Sequence, residues 1–128
     1  MILFALALAL QTAAPPPAET VAEEVVVIGE KIKAWRATMR LSKTGAECKV
    51  KVSTGDAAID RIGCTAMERC WPDFLPRFEA TRAKDVTAAD RKVRTAALNK
   101  QLGTCVMARR DAAIAALADQ RVAARMNP

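Results

Sequence analysis

The chain has 128 residues, room for one domain, and 52% of them are apolar while only 4% are aromatic. It carries 20 Lys and Arg against 14 Asp and Glu, a net charge of +6, with no histidine and no tyrosine. Those absences remove the commonest general base and both the Ser–His and Cys–His nucleophile pairs, so the composition points to a protein that is not an enzyme.

Met1 to Leu10 (MILFALALAL) is an unbroken apolar run, followed by Gln11-Thr12-Ala13-Ala14. A spanning helix needs about 20 apolar residues, so a run this short with small residues behind it reads as a secretory signal, cut after Ala14. Residues 1–14 are therefore expected to direct export to the periplasm, leaving no membrane span in the mature chain.

Residues 15–30 read as a proline-rich, acidic linker. Pro15-Pro16-Pro17 is a polyproline-like spacer. Behind it, Glu23-Glu24-Val25-Val26-Val27-Ile28-Gly29 sets four β-branched residues between acids and a glycine, a short strand signal. Glu24, Val25, Val26, Val27 and Ile28 read first as an edge strand of the protein's own sheet or a flexible arm. The alternative is a segment that adds to a partner's sheet edge. This heptad resembles the TonB box near the N-terminus of TonB-dependent outer-membrane receptors, which implies a TonB-system partner for that alternative.

Residues 31–128 form the expected domain, of α+β class. From Trp35 the pattern alternates with period two: Trp35, Ala37, Met39 and Leu41 to one side, Arg36, Thr38 and Arg40 to the other. Ser42-Lys43-Thr44-Gly45 supplies a turn, and the return strand sends Cys48, Val50 and Val52 inward and Glu47, Lys49 and Lys51 outward. The result is an antiparallel hairpin with one apolar and one basic face. Asp56 is placed to cap a helix over about Ala57–Cys70 with Ile59, Ile62, Gly63, Ala66 and Cys70 on one stripe. Pro72 and Pro76 then suggest a separate short helix ending near Lys84. Thr87-Ala88-Ala89-Asp90 opens a long one whose stripe is Leu98, Leu102, Cys105, Val106, Ala113, Ala116 and Leu117. A helix of that length outruns a small domain, so either it bends near Gly103-Thr104 or its last turns, Arg121 to Pro128, project into solvent; one helix, frayed at its end, is expected.

Four cysteines in an exported chain indicate disulfides. Cys64 and Cys70 sit six residues apart on one expected helix, roughly 9 Å along its axis. That exceeds the ~7 Å limit between bridged Cα atoms, so they should not pair with each other. Cys48–Cys64 with Cys70–Cys105 competes with Cys48–Cys70 and Cys64–Cys105. The first is preferred, because Cys48 lies on the sheet face that the Cys64 flank covers and Cys70 is then free for the long helix. A four-thiolate zinc site is the remaining alternative, against which stand the missing C-x-x-C and histidine.

Thr44-Gly45-Ala46-Glu47-Cys48-Lys49-Val50-Lys51-Val52-Ser53-Thr54-Gly55-Asp56-Ala57-Ala58-Ile59-Asp60 resembles the turn, strand and helix start of the C-terminal domain of TonB-like energy transducers. The resemblance spans about Trp35 to Trp71 and implies a ββα unit. Beyond it that family continues into a loop and a receptor-binding strand, where this chain has Trp71-Pro72-Asp73-Phe74-Leu75-Pro76 and helical sequence. The whole layout also resembles small exported proteins of α-proteobacteria, which implies an envelope location.

Charge is segregated: residues 1–30 hold four acids and no base, residues 31–128 all 20 bases and ten acids, a net +10. Arg36, Arg40, Lys49 and Lys51 share the outer hairpin face as a basic patch. It lacks the stacking aromatics of a nucleic-acid surface, so no nucleic-acid partner is expected. No cofactor, metal site or catalytic residue is expected either. The combined reading is a non-enzymatic binding or structural module of the envelope. Its partner would be another envelope protein, reached in one alternative by TonB-type strand addition, or in a second alternative an anionic polymer.

Overall fold

The computed structural model describes residues 15–127, so the expected signal at 1–14 lies outside the described residues. Prolines 15 to 17 have no amide hydrogen to offer, and helix α1 (Ala18–Ile32) begins directly behind them, with the Val21 amide donating to the Pro17 carbonyl at 3.1 Å. Strands β1 (Arg36–Ser42) and β2 (Gly45–Val52) follow, then helices α2 (Ala57–Ala80) and α3 (Ala88–Met126). The α+β class, the hairpin packed on a helix and the long last helix are as expected.

The linker with a β-prone edge is not what forms. Glu24, Val25, Val26, Val27 and Ile28 lie inside α1, and the sheet has two strands only among the described residues. The reason is a periodicity that β-propensity hides. Val21, Val25, Ile28 and Ile32 recur every three or four residues and form one stripe, with Ile28 0% and Ile32 2% exposed. Burying that stripe is worth roughly 1.5–3 kcal/mol per side chain, several times the propensity penalty of valine in a helix. Packing decides against the local preference, and residues 18–32 belong to the domain core.

The hairpin pairs Met39 with Cys48, Arg40 with Glu47 and Leu41 with Ala46, with an irregularity between Arg36 and Ala37. Its turn is closed by Gly45 at φ +139°, a region open to glycine. Trp71 of α2 donates its indole N–H to the Ser42 carbonyl at 2.9 Å, which ties the hairpin tip to the helix.

Helix α2 opens where expected. The Asp56 carboxylate accepts from the Ala58 and Ile59 amides at 3.1 and 3.3 Å. It does not stop at Cys70, however. It runs 24 residues, straight through Pro72 and Pro76, and the separate short helix merges into it. The prolines are four apart on the exposed side, so the carbonyls they deprive of donors, those of Glu68 and Pro72, face the solvent side. Meanwhile Cys70, Trp71 and Phe74 remain buried on the other side, and their packing holds the helix together. Gly63 is required where it stands: a Cβ there would lie 2.6 Å from the Trp35 ring.

Helix α3 is the expected single helix, 39 residues long, and its last turns pack onto the domain instead of fraying. Its first half buries Leu98 and Leu102 against Cys70, Trp71 and Phe74 of α2. Its second half buries Ile114 and Ala118 among Ile28, Ile32, Ile59 and Ile62. Leu102 and Ala118 stand about 160° apart around the helix axis, so the buried stripe rotates as α3 exchanges one partner for another. A straight stripe projected from Leu98 therefore includes the exposed Ala116 and misses Ile114, Ala118 and Val122. The last turns are held in place by Val122, buried to 1% exposure, and by ion pairs from Arg121 to Asp56 (2.7 Å) and Arg125 to Glu24 (3.1 Å).

Both disulfides have the preferred pairing. Cys48–Cys64 joins the middle of β2 to α2 with Cα atoms 5.6 Å apart, and Cys70–Cys105 joins α2 to α3 at 6.1 Å. With all four thiols paired, the zinc alternative is set aside.

Candidate functional site

The residues of the expected basic patch divide in the structure. Arg40, Lys49 and Lys51 are exposed on the outer hairpin face, and no described element covers them. Arg36 is drawn away at the hairpin's open end. Its guanidinium donates to the Lys33 carbonyl at 2.7 Å and the Trp35 carbonyl at 2.8 Å, satisfying acceptors left open where α1 ends. Glu47, directly opposite Arg40, adds a negative charge to the patch. What remains is a ribbon with Lys49 and Lys51 clear of any described ion pair and with Arg40 balanced by Glu47.

Beneath this ribbon the inner face is thinly covered: Val50 and Val52 are 38% and 48% exposed. A dent of about 520 Å³ runs along the middle of the hairpin, from Thr38 and Arg40 past Lys49 to Glu68 of α2. The backbone is open as well. Outside the ladder and the turn's own hydroxyl contacts, the strands receive one hydrogen bond from the rest of the described chain, that of Trp71 to Ser42. Both ribbon edges thus keep free amide and carbonyl groups, the condition for pairing with another strand.

Two carboxylates stand near each other at the start of α2, and their surroundings fit them for structure. The Arg121 guanidinium, accepted through two hydrogen bonds at 2.9 and 2.7 Å, holds the Asp56 carboxyl below the ordinary carboxylate range, assisted by the Ile59 and Ala58 amides. The Ser53 hydroxyl, together with the Thr54 amide (2.8 Å) and hydroxyl (2.7 Å), lowers that of Asp60. A proton donor or acceptor working near neutrality needs the opposite shift. Because folding favours the ionised form of both groups, their contribution is complete above about pH 4 and is lost as pH falls through the lowered folded values. Acid titration of unfolding should show this loss. Asp56→Asn, which still caps the helix but cannot pair with Arg121, should reduce that loss to the share of Asp60 and lower stability at neutral pH by about 1 kcal/mol, the pair being partly solvated.

Arg109 lies eleven residues, three helical turns, after Leu98 and so in line with the projected stripe, yet it is exposed and has no ion pair among the described residues. It stands instead across from Arg69 of α2, over a groove floored by Ile62 and alanines. Sequence periodicity missed this site because the rotation of the α3 stripe brings Arg109 to the surface.

The fold and its surfaces together define a small disulfide-stapled α+β domain that presents a ribbon with two free edges. Among the described residues, no helix is long and apolar enough to cross a membrane. No protein-family model, curated protein or solved structure matches the chain.

Proposed function

We propose that this is an exported protein of the cell envelope, a non-enzymatic binding module that captures an extended, acidic segment of a partner protein by strand addition to its hairpin. The observation that carries the reading is the ribbon itself. It is fixed at its centre by Cys48–Cys64 and at its tip by Trp71, yet its edges and its Arg40, Lys49 and Lys51 face are uncovered. A ribbon held this firmly loses little further freedom on binding, which leaves more of the interaction energy for affinity. Backbone pairing would supply attachment and the lysines a preference for acidic side chains. Export is supported by the signal-like start and by four cysteines that are all bridged, as is usual in oxidising compartments. The resemblance of residues 35–71 to the TonB C-terminal unit extends to the ββα scaffold alone, because helical sequence occupies the place of that family's receptor-binding strand. The proposal therefore rests on the hairpin and not on that family's function. With Glu24 to Ile28 folded into α1, the hairpin is the element left to pair.

A photo-crosslinking residue at Thr38, in cells expressing the full chain, should give a discrete adduct. Arg40→Glu with Lys49→Glu should abolish it, and the same probe at Val93 on α3 should give none. An unlabelled Thr38 would end the proposal. The basic balance, with a pI of about 9.5, favours a second reading, an anionic envelope polymer as the ligand. That reading expects affinity to fall steeply with salt and to be indifferent to the partner's backbone.

A further inference from the structure

The segregation of charge along the chain reappears in space as two complementary surfaces. The buried stripe of α1 leaves Glu19, Glu23, Val26 and Glu30 together on the opposite side of the helix, with Val26 63% and the flanking Val27 46% exposed. On the far side of the charge balance, α2 and α3 enclose a groove of about 260 Å³ whose rim carries Arg69 and Arg109 and whose floor is Ile62, Ala66 and Ala113. An adjoining dent of about 270 Å³, sharing Ile62, Thr65 and Ala113, extends it to Arg61. None of these three arginines has an acidic partner among the described residues.

We propose that α1 of a second copy of this chain docks in the α2–α3 groove, with Val26 on the alanine floor and Glu23 and Glu30 against the arginines. The spacings agree: Glu23 and Glu30 stand about 10 Å apart along their helix, Arg61 and Arg69 about 12 Å along theirs. Alanines in the floor let a third helix approach closely, and valine is short enough to fill the space above them. Glu30 must give up Lys33, but that pair is solvent-exposed on both sides and cheap to exchange. Reciprocation of the contact closes a two-fold dimer. The surface differs from the hairpin ribbon, so the two proposals stand or fall separately.

Sedimentation velocity on the oxidised protein, across a concentration series, tests it. The expected result is a dimer whose dissociation constant rises at least about tenfold between low and high salt. Glu23→Lys with Glu30→Lys, and separately Arg61→Glu with Arg69→Glu, should each leave a folded monomer, as circular dichroism and intact disulfides would verify. All four positions are exposed, so their replacement should spare the fold. An equimolar mixture of the two variants should associate again, because each supplies the charge the other has lost. A wild-type monomer at millimolar concentration, a dimer indifferent to salt, or variants that dimerise as well as wild type would each overturn the proposal.

Discussion

Replacing Cys70 and Cys105 together with alanine is expected to lower the unfolding free energy by about 4 kcal/mol, the chain-entropy value for a loop of this length. The bridge closes 35 residues, including the whole α2–α3 turn, and it is the covalent link between the hairpin-bearing helix and the long helix. For a domain whose total stability is on the order of 5–15 kcal/mol, that is a large share. The corresponding change at Cys48 and Cys64 closes only 16 residues and should cost about 3 kcal/mol. Urea unfolding, followed by circular dichroism, gives both values when each variant is extrapolated to water with its own slope, since losing a cross-link expands the unfolded chain and steepens the slope. Removing both bridges should bring the domain to the edge of folding. A loss below about 1 kcal/mol for the first pair would mean that Cys70 and its neighbours pack on α3 without covalent help.

Trp71→Ala should cost about 3–5 kcal/mol, the range for truncating a buried aromatic side chain. Three interactions meet in this one residue. Its rings fill the cluster of Cys70, Phe74, Leu98 and Leu102, its centroid lies 5.5 Å from that of Phe78, and its N–H holds the Ser42 carbonyl at the hairpin tip. Trp71→Phe separates them, since it keeps most of the buried area and removes the hydrogen bond. Its expected cost is about 1 kcal/mol, with faster amide exchange confined to the turn around Ser42. Equal costs for the two variants would contradict this division.

The elements that could be read from the sequence are those whose signals are local. The hairpin is written in strict alternation from Trp35 to Leu41 and in turn residues. Asp56 and Thr87 announce helix starts because an N-cap needs only its own side chain and the next three amides, as the bonds to Ile59 and Asp90 show. The disulfide pairing followed from distance along one helix and from which face each cysteine occupied. What could not be read depended on a distant partner. Val25 to Ile28 have strand propensity, and only the presence of Ile59, Ile114 and Ala118 makes the helical stripe worth burying. Pro72 and Pro76 would end an isolated helix, and only the packing of Trp71 and Phe74 carries α2 past them. The basic patch was legible as composition, but the diversion of Arg36 to cap α1 was not, because α1 itself was misread. The groove rimmed by Arg69 and Arg109 needs two helices in register, which no single stretch encodes.

The order of the four cysteines along the chain has a consequence for how the protein matures. They pair first with second and third with fourth. On the export proposed above, with the chain delivered N-terminus first into an oxidising compartment, Cys64 would arrive when Cys48 is the only thiol waiting. If that bridge closes first, Cys105 in turn finds only Cys70. Each cysteine then meets its native partner without competition, whereas a crossed arrangement would leave Cys48 reactive past the arrival of the wrong thiol. Correct oxidation can therefore follow the order of appearance, with no need for the slow thiol–disulfide exchange that would otherwise repair mispaired bridges.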